Sequence, residues 1–326
     1  MNGDAARLRM RVDAVDRQAD DVVTVDLGSI DGSPLPGWEP GSHIEIELAD
    51  GLVRHYSLCG RPEDDRMWRI AVLREQAGRG GSRFVHEQIR PGDVFSVSRP
   101  RNNFGVVPAD RYLFIAGGIG ITPILPMVRM VAARGQAWSL LYGGRTRASM
   151  AFVSEVTGIA GGEVRVVPQD TEGLLDLTDF LGSPSAGTAI YCCGPPPLLE
   201  AVEQQCLSWP PQTLHIERFV PRDRVQAPAA GSGSVPADGA FDVALARTGG
   251  SVHVPADRTL LEVLEDAGFE IDNSCRAGIC GTCELRVTAG QPDHNDDVLS
   301  DAERDSNTVI LPCVSRSRTP VLAVDL

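Results

Sequence analysis

The sequence predicts a multi-domain protein in which an antiparallel β-barrel, a doubly wound α/β domain and a small C-terminal domain follow one another. Alternating apolar and polar stretches precede Pro108, and short apolar runs alternate with helical stretches after it. A linker-like segment at 226–239 then separates the C-terminal part. The 326 residues exceed what one core usually organises. We therefore predict domains at 1–106, 107–225 and 240–326, with a linker at 226–239.

The barrel is predicted from residues 8–12 and 43–48, where apolar and polar side chains alternate. A period of two places one face in a core and the other in water, as in antiparallel strands. The α/β domain is predicted from four short apolar runs, 112–116, 138–142, 164–167 and 188–192. Uninterrupted apolar runs separated by crossovers are typical of parallel strands buried on both faces.

The linker is predicted from composition, because eleven of the fourteen residues at 226–239 are Ala, Gly, Ser or Pro. The formal charge of −14 argues against general nucleic-acid binding. The N-terminus lacks the apolar core of a signal peptide, and the sequence contains no apolar run of membrane-spanning length. We therefore expect a cytoplasmic protein with no membrane partner.

A glycine-rich turn follows the first run of the α/β domain. Gly117, Gly118 and Gly120 precede Thr122, Pro123 and an apolar helical stretch. Glycines let backbone approach a pyrophosphate, and a helix N-terminus offers unpaired amides. The turn is not a full G-x-G-x-x-G, and many strand-to-helix turns are glycine-rich for steric reasons alone.

Four cysteines near the C-terminus have the plant-type spacing of [2Fe–2S] ligands. Cys275, Cys280 and Cys283 form C-x4-C-x2-C, and 29 further residues separate Cys283 from Cys313. A zinc knuckle and a disulfide pair are the alternatives. Zinc sites usually present C-x2-C twice, and disulfides need an oxidising compartment, so the spacing favours an iron-sulfur cluster.

Together these motifs carry a resemblance. Arg54-x-Tyr56-Ser57, a glycine-rich turn before Ser82, the Gly117 turn and Cys193-Gly194-Pro195 precede the cluster motif. In this order the chain resembles the phthalate dioxygenase reductase family, which includes vanillate demethylase reductases, within the ferredoxin-NADP reductase superfamily. The resemblance implies an FMN-binding barrel, an NADH-binding α/β domain and a β-grasp plant-type ferredoxin domain.

The resemblance also implies the site residues. Tyr56 and Ser57 would contact the flavin ring, while Arg54 and Ser82, with amides of Gly80 and Gly81, would neutralise its phosphate. FAD remains the rival of FMN. The complete predicted cofactor-binding set is Arg54, His55, Tyr56, Ser57, Ala71, Val72, Gly80, Gly81, Ser82, Gly117, Gly118, Gly120, Thr122, Arg145, Asp170, Cys193, Gly194, Pro195 and Phe219.

Three residues are predicted to be catalytic: Cys193 beside the transferring hydride, Thr122 close to flavin and nicotinamide, and Ser57. Phe219 would shield the flavin, or belong to a core. Arg145 and Arg147 fall where the adenosine ribose or its phosphate is read, so NADPH is possible beside the NADH that the family usually prefers. Asp170 would hold a ribose hydroxyl or be an exposed turn residue.

The predicted function is electron transfer from NADH through FMN and the cluster to the terminal component of a Rieske-type aromatic dioxygenase or O-demethylase, by a monomeric reductase. The alternatives are a reductase of the same architecture serving a cytochrome P450 or another oxygenase, and a non-catalytic iron-sulfur sensor. Residues 240–326 contain fifteen acidic residues and seven arginines. We therefore expect a basic surface on the partner. The acidic run 293–297 is expected to be structural or to dock that partner.

Overall fold

The computed structural model describes residues 7–49, 51–76, 78, 80–222 and 239–326. Residues 226–238 of the predicted linker lie outside this described part. The chain divides into two compact units, Met1–Phe219 and Val220–Leu326. The first unit contains both the strand-rich domain and the parallel sheet. None of the helices in the described ranges has the length and apolar character that a membrane span needs.

The N-terminal part of the first unit is an antiparallel barrel. Its elements are β1 (Leu8–Ala19), β2 (Val22–Ser29), β3 (Ser42–Glu47), β4 (Val53–Ser57), β5 (Met67–Leu73), α1 (Gly81–Glu87), β6 (Val94–Val97) and β7 (Arg101–Asn102). The strand order is β4-β3-β6-β1-β2-β5, with β7 beside β3. An antiparallel bridge between Leu58 and Ile70 links the two ends of this order. Alternate residues such as Ile44 and Ile46 fill the core, as the sequence pattern predicts.

A parallel sheet follows the barrel. Its elements are β8 (Arg111–Gly117), α2 (Ile121–Ala133), β9 (Ala137–Gly144), α3 (Val153–Thr157), β10 (Glu163–Pro168), α4 (Gln169–Glu172), α5 (Leu177–Leu181), β11 (Thr188–Cys193), α6 (Pro196–Gln205) and β12 (Leu214–Glu217). The order is β10-β9-β8-β11-β12, and every pairing is parallel. The order reverses between β8 and β11, where doubly wound sheets bind ligands at the carboxyl ends of the strands.

Two buried tyrosines of this sheet hold the segment that enters it from the barrel. The Tyr191 hydroxyl accepts the Val107 N–H at 2.7 Å and donates to the Gly105 carbonyl at 3.2 Å. The Tyr112 hydroxyl donates to the Val107 carbonyl at 3.0 Å. The connection between barrel and sheet is therefore bonded to side chains from the middle of the sheet.

The second unit is a small mixed sheet with one main helix, the β-grasp arrangement that was predicted. Its elements are β13 (Phe241–Leu245), β14 (Ser251–Val254), α7 (Leu260–Asp266), β15 (Leu285–Ala289), β16 (Pro292–Asp293), α8 (Asp301–Ser306), β17 (Val309–Ile310), β18 (Arg316–Ser317) and β19 (Val321–Val324). The main sheet has the order β14-β13-β19-β15-β17, and β13 and β19 are parallel. Leu260 and Leu264 of α7 pack into the core of this sheet.

Candidate functional sites

Two segments that are predicted to bind the nicotinamide nucleotide, 117–120 and 193–195, meet at the switch point of the parallel sheet. A Cβ placed on Gly120 would lie 2.2 Å from the carbonyl oxygen of Cys193. One on Gly117 would lie 2.6 Å from Cδ of Pro195 and 3.3 Å from Cα of Gly194. Side chains at these glycines would prevent the contact between the two segments. The glycines thus have a packing role in addition to the predicted approach to phosphate.

The turn between β8 and α2 is ordered by its own hydrogen bond. The hydroxyl of Thr122, which is buried, donates to the Ile119 carbonyl at 3.0 Å. Gly118 has a φ of 55°, a backbone conformation that favours glycine, and no atom lies within 4 Å of a Cβ built there. Gly118 therefore leaves open space over the turn, while Gly117 and Gly120 allow the turn to pack against the end of β11.

An acidic side chain joins two of the predicted catalytic residues. Oε2 of Glu217, at the end of β12, accepts a hydrogen bond from the Ser57 hydroxyl at 3.4 Å. It also lies 3.9 Å from Sγ of Cys193. Removal from water raises the pKa of Glu217 to about 8 and raises the pKa of the Cys193 thiol. Near neutral pH this site therefore holds a protonated carboxyl and a protonated thiol.

Sequence reasoning missed Glu217, although it noticed Phe219 two residues later. The available signal was position, because Glu217 ends the last parallel strand, beside Cys193 in the register of β11 and β12. The alternation along β11 also separates the two adjacent cysteines. Cys193 packs on the face of the sheet that carries α2, and Cys192 packs on the other face.

The predicted flavin strand β4 lies against the start of α1. A Cβ on Gly81 would lie 2.5 Å from Nε of Arg54, so the arginine side chain crosses directly over this glycine. The Ser82 hydroxyl accepts the N–H of Glu75 at 3.0 Å. Burial raises the pKa of Tyr56, an effect that Arg54 opposes. Arg54, Gly81 and Ser82 are thus held at one place on the barrel.

The remaining predicted residues of the barrel lie around this strand. His55 alternates to the opposite face from Arg54 and Tyr56, and its ring centroid is 5.6 Å from that of His43. Ala71 and Val72 are buried in β5. The Val72 carbonyl interacts with Nε2 of His86 in α1 at 2.9 Å. Gly80 directly precedes α1 with a φ of 85°.

The residues predicted to read the adenosine are neighbours at the end of β9 and β10. The N–H of Asp170 donates to the Arg145 carbonyl at 3.1 Å, and both side chains are exposed. Arg147 is exposed as well. Phe219 is 40% exposed, so the first unit does not bury it as a core residue.

The four cysteines of the second unit associate in two pairs. Sγ of Cys283 lies 3.3 Å from Sγ of Cys313. The thiol of Cys280 forms a hydrogen bond with Sγ of Cys275, and this hydrogen bond lowers the pKa of Cys275. No three such ligand groups converge on one metal position within the described residues. Two thiol pairs suit a [2Fe–2S] cluster, in which each of two irons takes two protein ligands.

Comparison with known proteins assigns both units. Residues 243–318 match the family of 2Fe-2S iron-sulfur cluster binding domains, and residues 114–204 match the oxidoreductase NAD-binding domain family. The vanillate O-demethylase oxidoreductase of Pseudomonas putida is 39% identical over 315 residues, which cover 95% of this chain and 96% of that protein. The chain belongs to the phthalate dioxygenase reductase and vanillate O-demethylase reductase family. It is an oxidoreductase with an NAD-binding domain and a 2Fe-2S domain.

Solved structures support the same assignment. Phthalate dioxygenase reductase, described as modular for electron transfer from pyridine nucleotides to [2Fe–2S], matches with a TM-score of 0.68 and 33% identity over 98% of both chains. An intact type IV self-sufficient cytochrome P450 monooxygenase matches with a TM-score of 0.92 and 38% identity. That match covers 98% of this chain but 41% of the P450 chain. The predicted three-part fold of this reductase is confirmed.

The acidic run of the reductase is structural at two of its positions, which is one of the two roles expected for it. The Asp296 side chain is fully buried and accepts the N–H groups of Val298 and Leu299 at 3.1 and 2.8 Å. The Asp297 side chain is 5% exposed and pairs with Arg222 at 3.1 Å. Each carboxylate is used within the second unit because its local backbone or a neighbouring guanidinium needs an acceptor.

Proposed function

We propose that this reductase takes a hydride from NADH onto FMN and passes the electrons through its [2Fe–2S] cluster to an oxygenase. The observation that carries the proposal is the meeting of Ser57, Cys193 and Glu217. It brings the predicted flavin strand and the end of β11 to one point at the switch of the parallel sheet. FMN when bound would accept two electrons together and release them singly.

We assign the flavin phosphate to Arg54, Ser82 and the amides near Gly80 and Gly81. The guanidinium lies across Gly81, where it could form charge-assisted bonds to a phosphate. Tyr56 would lie along the ring. FMN, rather than FAD, is proposed from the family resemblance, and identification of the flavin after acid extraction tests it.

At the reaction site, Cys193 contributes a small uncharged surface, since its thiol stays protonated. Oxidation of NADH to NAD⁺ yields two electrons and one proton, so a proton must leave the site in each cycle. Glu217 is the titratable group beside Ser57, and its pKa of about 8 suits exchange of a proton near neutral pH. Thr122 holds the turn at the start of α2.

We propose NADH as the physiological donor. Arg145 and Asp170 would then contact the adenosine ribose, and the exposed Arg147 could accept a 2′-phosphate. The ratio of kcat/KM for NADH to that for NADPH tests this preference. A ratio below one would reverse the proposal for the nucleotide without affecting the site at Ser57.

For the cluster, we assign one iron to Cys275 and Cys280 and the other to Cys283 and Cys313. The two sulfur pairs support this division. The N–H of Ala277, 3.3 Å from Sγ of Cys275, would donate to a ligating thiolate. Such bonds to sulfur adjust the reduction potential of a cluster.

The proposed partner is the terminal component of a Rieske-type oxygenase, because proteins that match this chain over nearly their whole length are named for vanillate O-demethylation and phthalate dioxygenation. A second candidate is a cytochrome P450, which is favoured by the match to two fifths of a self-sufficient P450. We propose that the reductase is a cytoplasmic monomer. Gel filtration tests the oligomeric state.

The deciding experiment combines anaerobic reduction with reconstitution. NADH should bleach the flavin absorption of the purified protein and then the cluster absorption. Addition of a Rieske oxygenase or a P450 should reoxidise the cluster, and the faster acceptor identifies the partner class. A protein that lacks flavin after reconstitution with FMN, or that NADH does not reduce, would refute the proposed function.

A further inference from the structure

Arg129, in the second half of α2, forms hydrogen bonds with the barrel. Its Nη1 lies 3.3 Å from the carbonyl oxygen of Cys59 and 3.0 Å from that of Gly60. Its Nη2 pairs with the carboxylate of Glu155 in α3. The Arg129 side chain is 20% exposed. These charge-assisted bonds therefore form in a partly dehydrated position, where they are stronger than in water.

The two carbonyl groups belong to the chain that directly follows β4, because Cys59 is the second residue after Ser57. This segment is also fixed from the barrel side. The N–H of Cys59 donates to the Arg69 carbonyl at 2.9 Å. The Arg69 guanidinium in turn makes two bonds with Asp26, at 2.6 and 2.7 Å. The segment after Ser57 therefore lies between two arginines, one from the barrel and one from the α/β domain.

On the other side, α2 connects Arg129 to the glycine turn. The helix begins at Ile121, directly after Gly120, and nine of its thirteen residues are buried. A helix packed to this extent moves with the sheet rather than independently. A change in the bonds of Arg129 would consequently shift the Gly120 turn relative to the strand that carries Ser57.

We propose that Arg129 is a positioning residue that fixes the separation between the Ser57 strand and the Gly120 turn. The inference rests on the proposed function, in which these two segments hold the flavin and the nicotinamide. In the proposed reaction NADH would become NAD⁺ as its hydride, which carries two electrons and one hydrogen, passes to the flavin. The rate would therefore depend on how closely the nicotinamide approaches the flavin. Arginine suits this role because its planar fork can bond two carbonyls and a carboxylate in fixed directions.

The test measures flavin bleaching by NADH in anaerobic stopped flow, using the full chain loaded with flavin and cluster. Arg129→Met keeps the apolar stem and removes every donor. We expect its limiting rate at saturating NADH to fall by about 10- to 100-fold, since small misplacements of reactants have effects of this size. The dissociation constant for NADH should change less than about twofold, because no nucleotide contact is removed.

Arg165→Met is the matched control, because Arg165 also lies in the α/β domain and also forms ion pairs, in its case with Glu163 and Asp179 at 44% exposure. It should leave the limiting rate unchanged. A readout independent of turnover is the long-wavelength charge-transfer absorbance of the oxidised flavin with a non-reducing NADH analogue. It should weaken in Arg129→Met and persist in Arg165→Met.

If Arg129→Met does not fold, Glu155→Gln provides the second variant. It keeps the carbonyl bonds of Arg129 and removes its charged partner, so we expect a smaller fall in the same rate. An unchanged rate and absorbance in a folded, flavin-loaded Arg129→Met would overturn the positioning role and leave the proposed function intact. A wild-type protein that NADH cannot reduce would overturn both.

Discussion

The carboxyl group of Glu217 lies 3.4 Å from the hydroxyl of Ser57, although 160 residues separate them in the chain. Ser57 ends a strand of the barrel, and Glu217 ends the last strand of the parallel sheet. Their contact closes the site in which Cys193 also lies. Because Glu217 titrates, the contact between the barrel and the α/β domain depends on the protonation state of this site.

The first prediction concerns the pH dependence of stability. The pKa of Glu217 is about 8 in the folded protein, above its ordinary value of 4.5. Between these values the folded state retains a proton that the unfolded state releases, so the free energy of unfolding should fall as pH rises through this window. At about 1.4 kcal/mol per unit, the loss should be on the order of 2 to 4 kcal/mol.

Urea unfolding of the wild type and of Glu217→Gln, from pH 5 to pH 8, measures this effect. The variant should lose that part of the pH dependence, because a glutamine does not titrate. Glu200→Gln, at an exposed position on α6, is the control and should retain it. Parallel curves for the wild type and Glu217→Gln would contradict the raised pKa.

The second prediction concerns the cluster ligands. Cys313→Ala should abolish the cluster, since it removes one of the two thiols assigned to one iron. Cys206→Ala changes a buried cysteine in the first unit and should keep full iron content. Iron analysis and visible absorption measure the outcome. Native iron and absorption in Cys313→Ala would refute this ligand assignment.

The third prediction concerns flavin affinity. Arg54→Ala should weaken flavin binding by about 10- to 100-fold, the loss expected for one charge-assisted hydrogen bond to phosphate. Gly81→Ala should weaken it too, because the added Cβ would lie 2.5 Å from Nε of Arg54 and displace the guanidinium. Arg17→Ala, at an exposed barrel ion pair, is the control. Fluorescence titration of the apoprotein with FMN measures all three variants, and unchanged affinity in Arg54→Ala would exclude the phosphate role.

The fourth prediction concerns the partner. Residues 240–326 have an excess of eight acidic residues over arginines, so attraction to a basic partner should speed electron transfer at low salt. The rate of transfer to the oxygenase should therefore fall as salt rises to physiological strength and the Debye length shrinks from about 30 to 8 Å. Glu284 follows Cys283, and its pKa is raised by burial and by the nearby Glu303. The double variant Glu284→Gln and Glu303→Gln should reduce both the rate at low salt and its salt dependence.

The glutamine at 303 preserves the capping interaction that Glu303 makes with Ser300. Glu63→Gln with Asp65→Asn, at exposed positions of the barrel, removes the same number of charges and should have little effect. Equal losses in both double variants would indicate a net-charge effect rather than a docking surface beside the cluster.

Local patterns in the sequence predicted most of the fold. Alternation identified strands such as β1 and β3, and continuous apolar runs identified β8 and β11, because burial on one or both faces is visible in consecutive residues. Motif spacing likewise predicted the cluster cysteines. The strand patterns lie in consecutive residues and the cysteine motif in sequence spacing, so no knowledge of three-dimensional contacts was needed to find them.

The contacts that a single sequence does not reveal join distant segments. Glu217 approaches Ser57 only after the barrel has packed on the sheet, and Arg129 reaches Gly60 in the same way. The burial of the acidic run was hidden for a related reason. An aspartate in a polar run is ordinarily expected at the surface. Only the folded loop shows that buried amides and Arg304 use Asp296 as their hydrogen-bond acceptor.

The two tyrosines that hold residues 105–109 have a consequence for separating the domains. Tyr191 and Tyr112 direct their hydroxyls at the connecting segment from adjacent strands of the sheet. A cut at the predicted boundary between 106 and 107 would remove Gly105 from Tyr191 and leave a buried hydroxyl without its acceptor. An α/β fragment intended to fold alone should therefore begin at least two residues earlier, and the barrel fragment would share those residues. The connecting segment is a common part of both domains, so no single peptide bond in it divides the two domains cleanly.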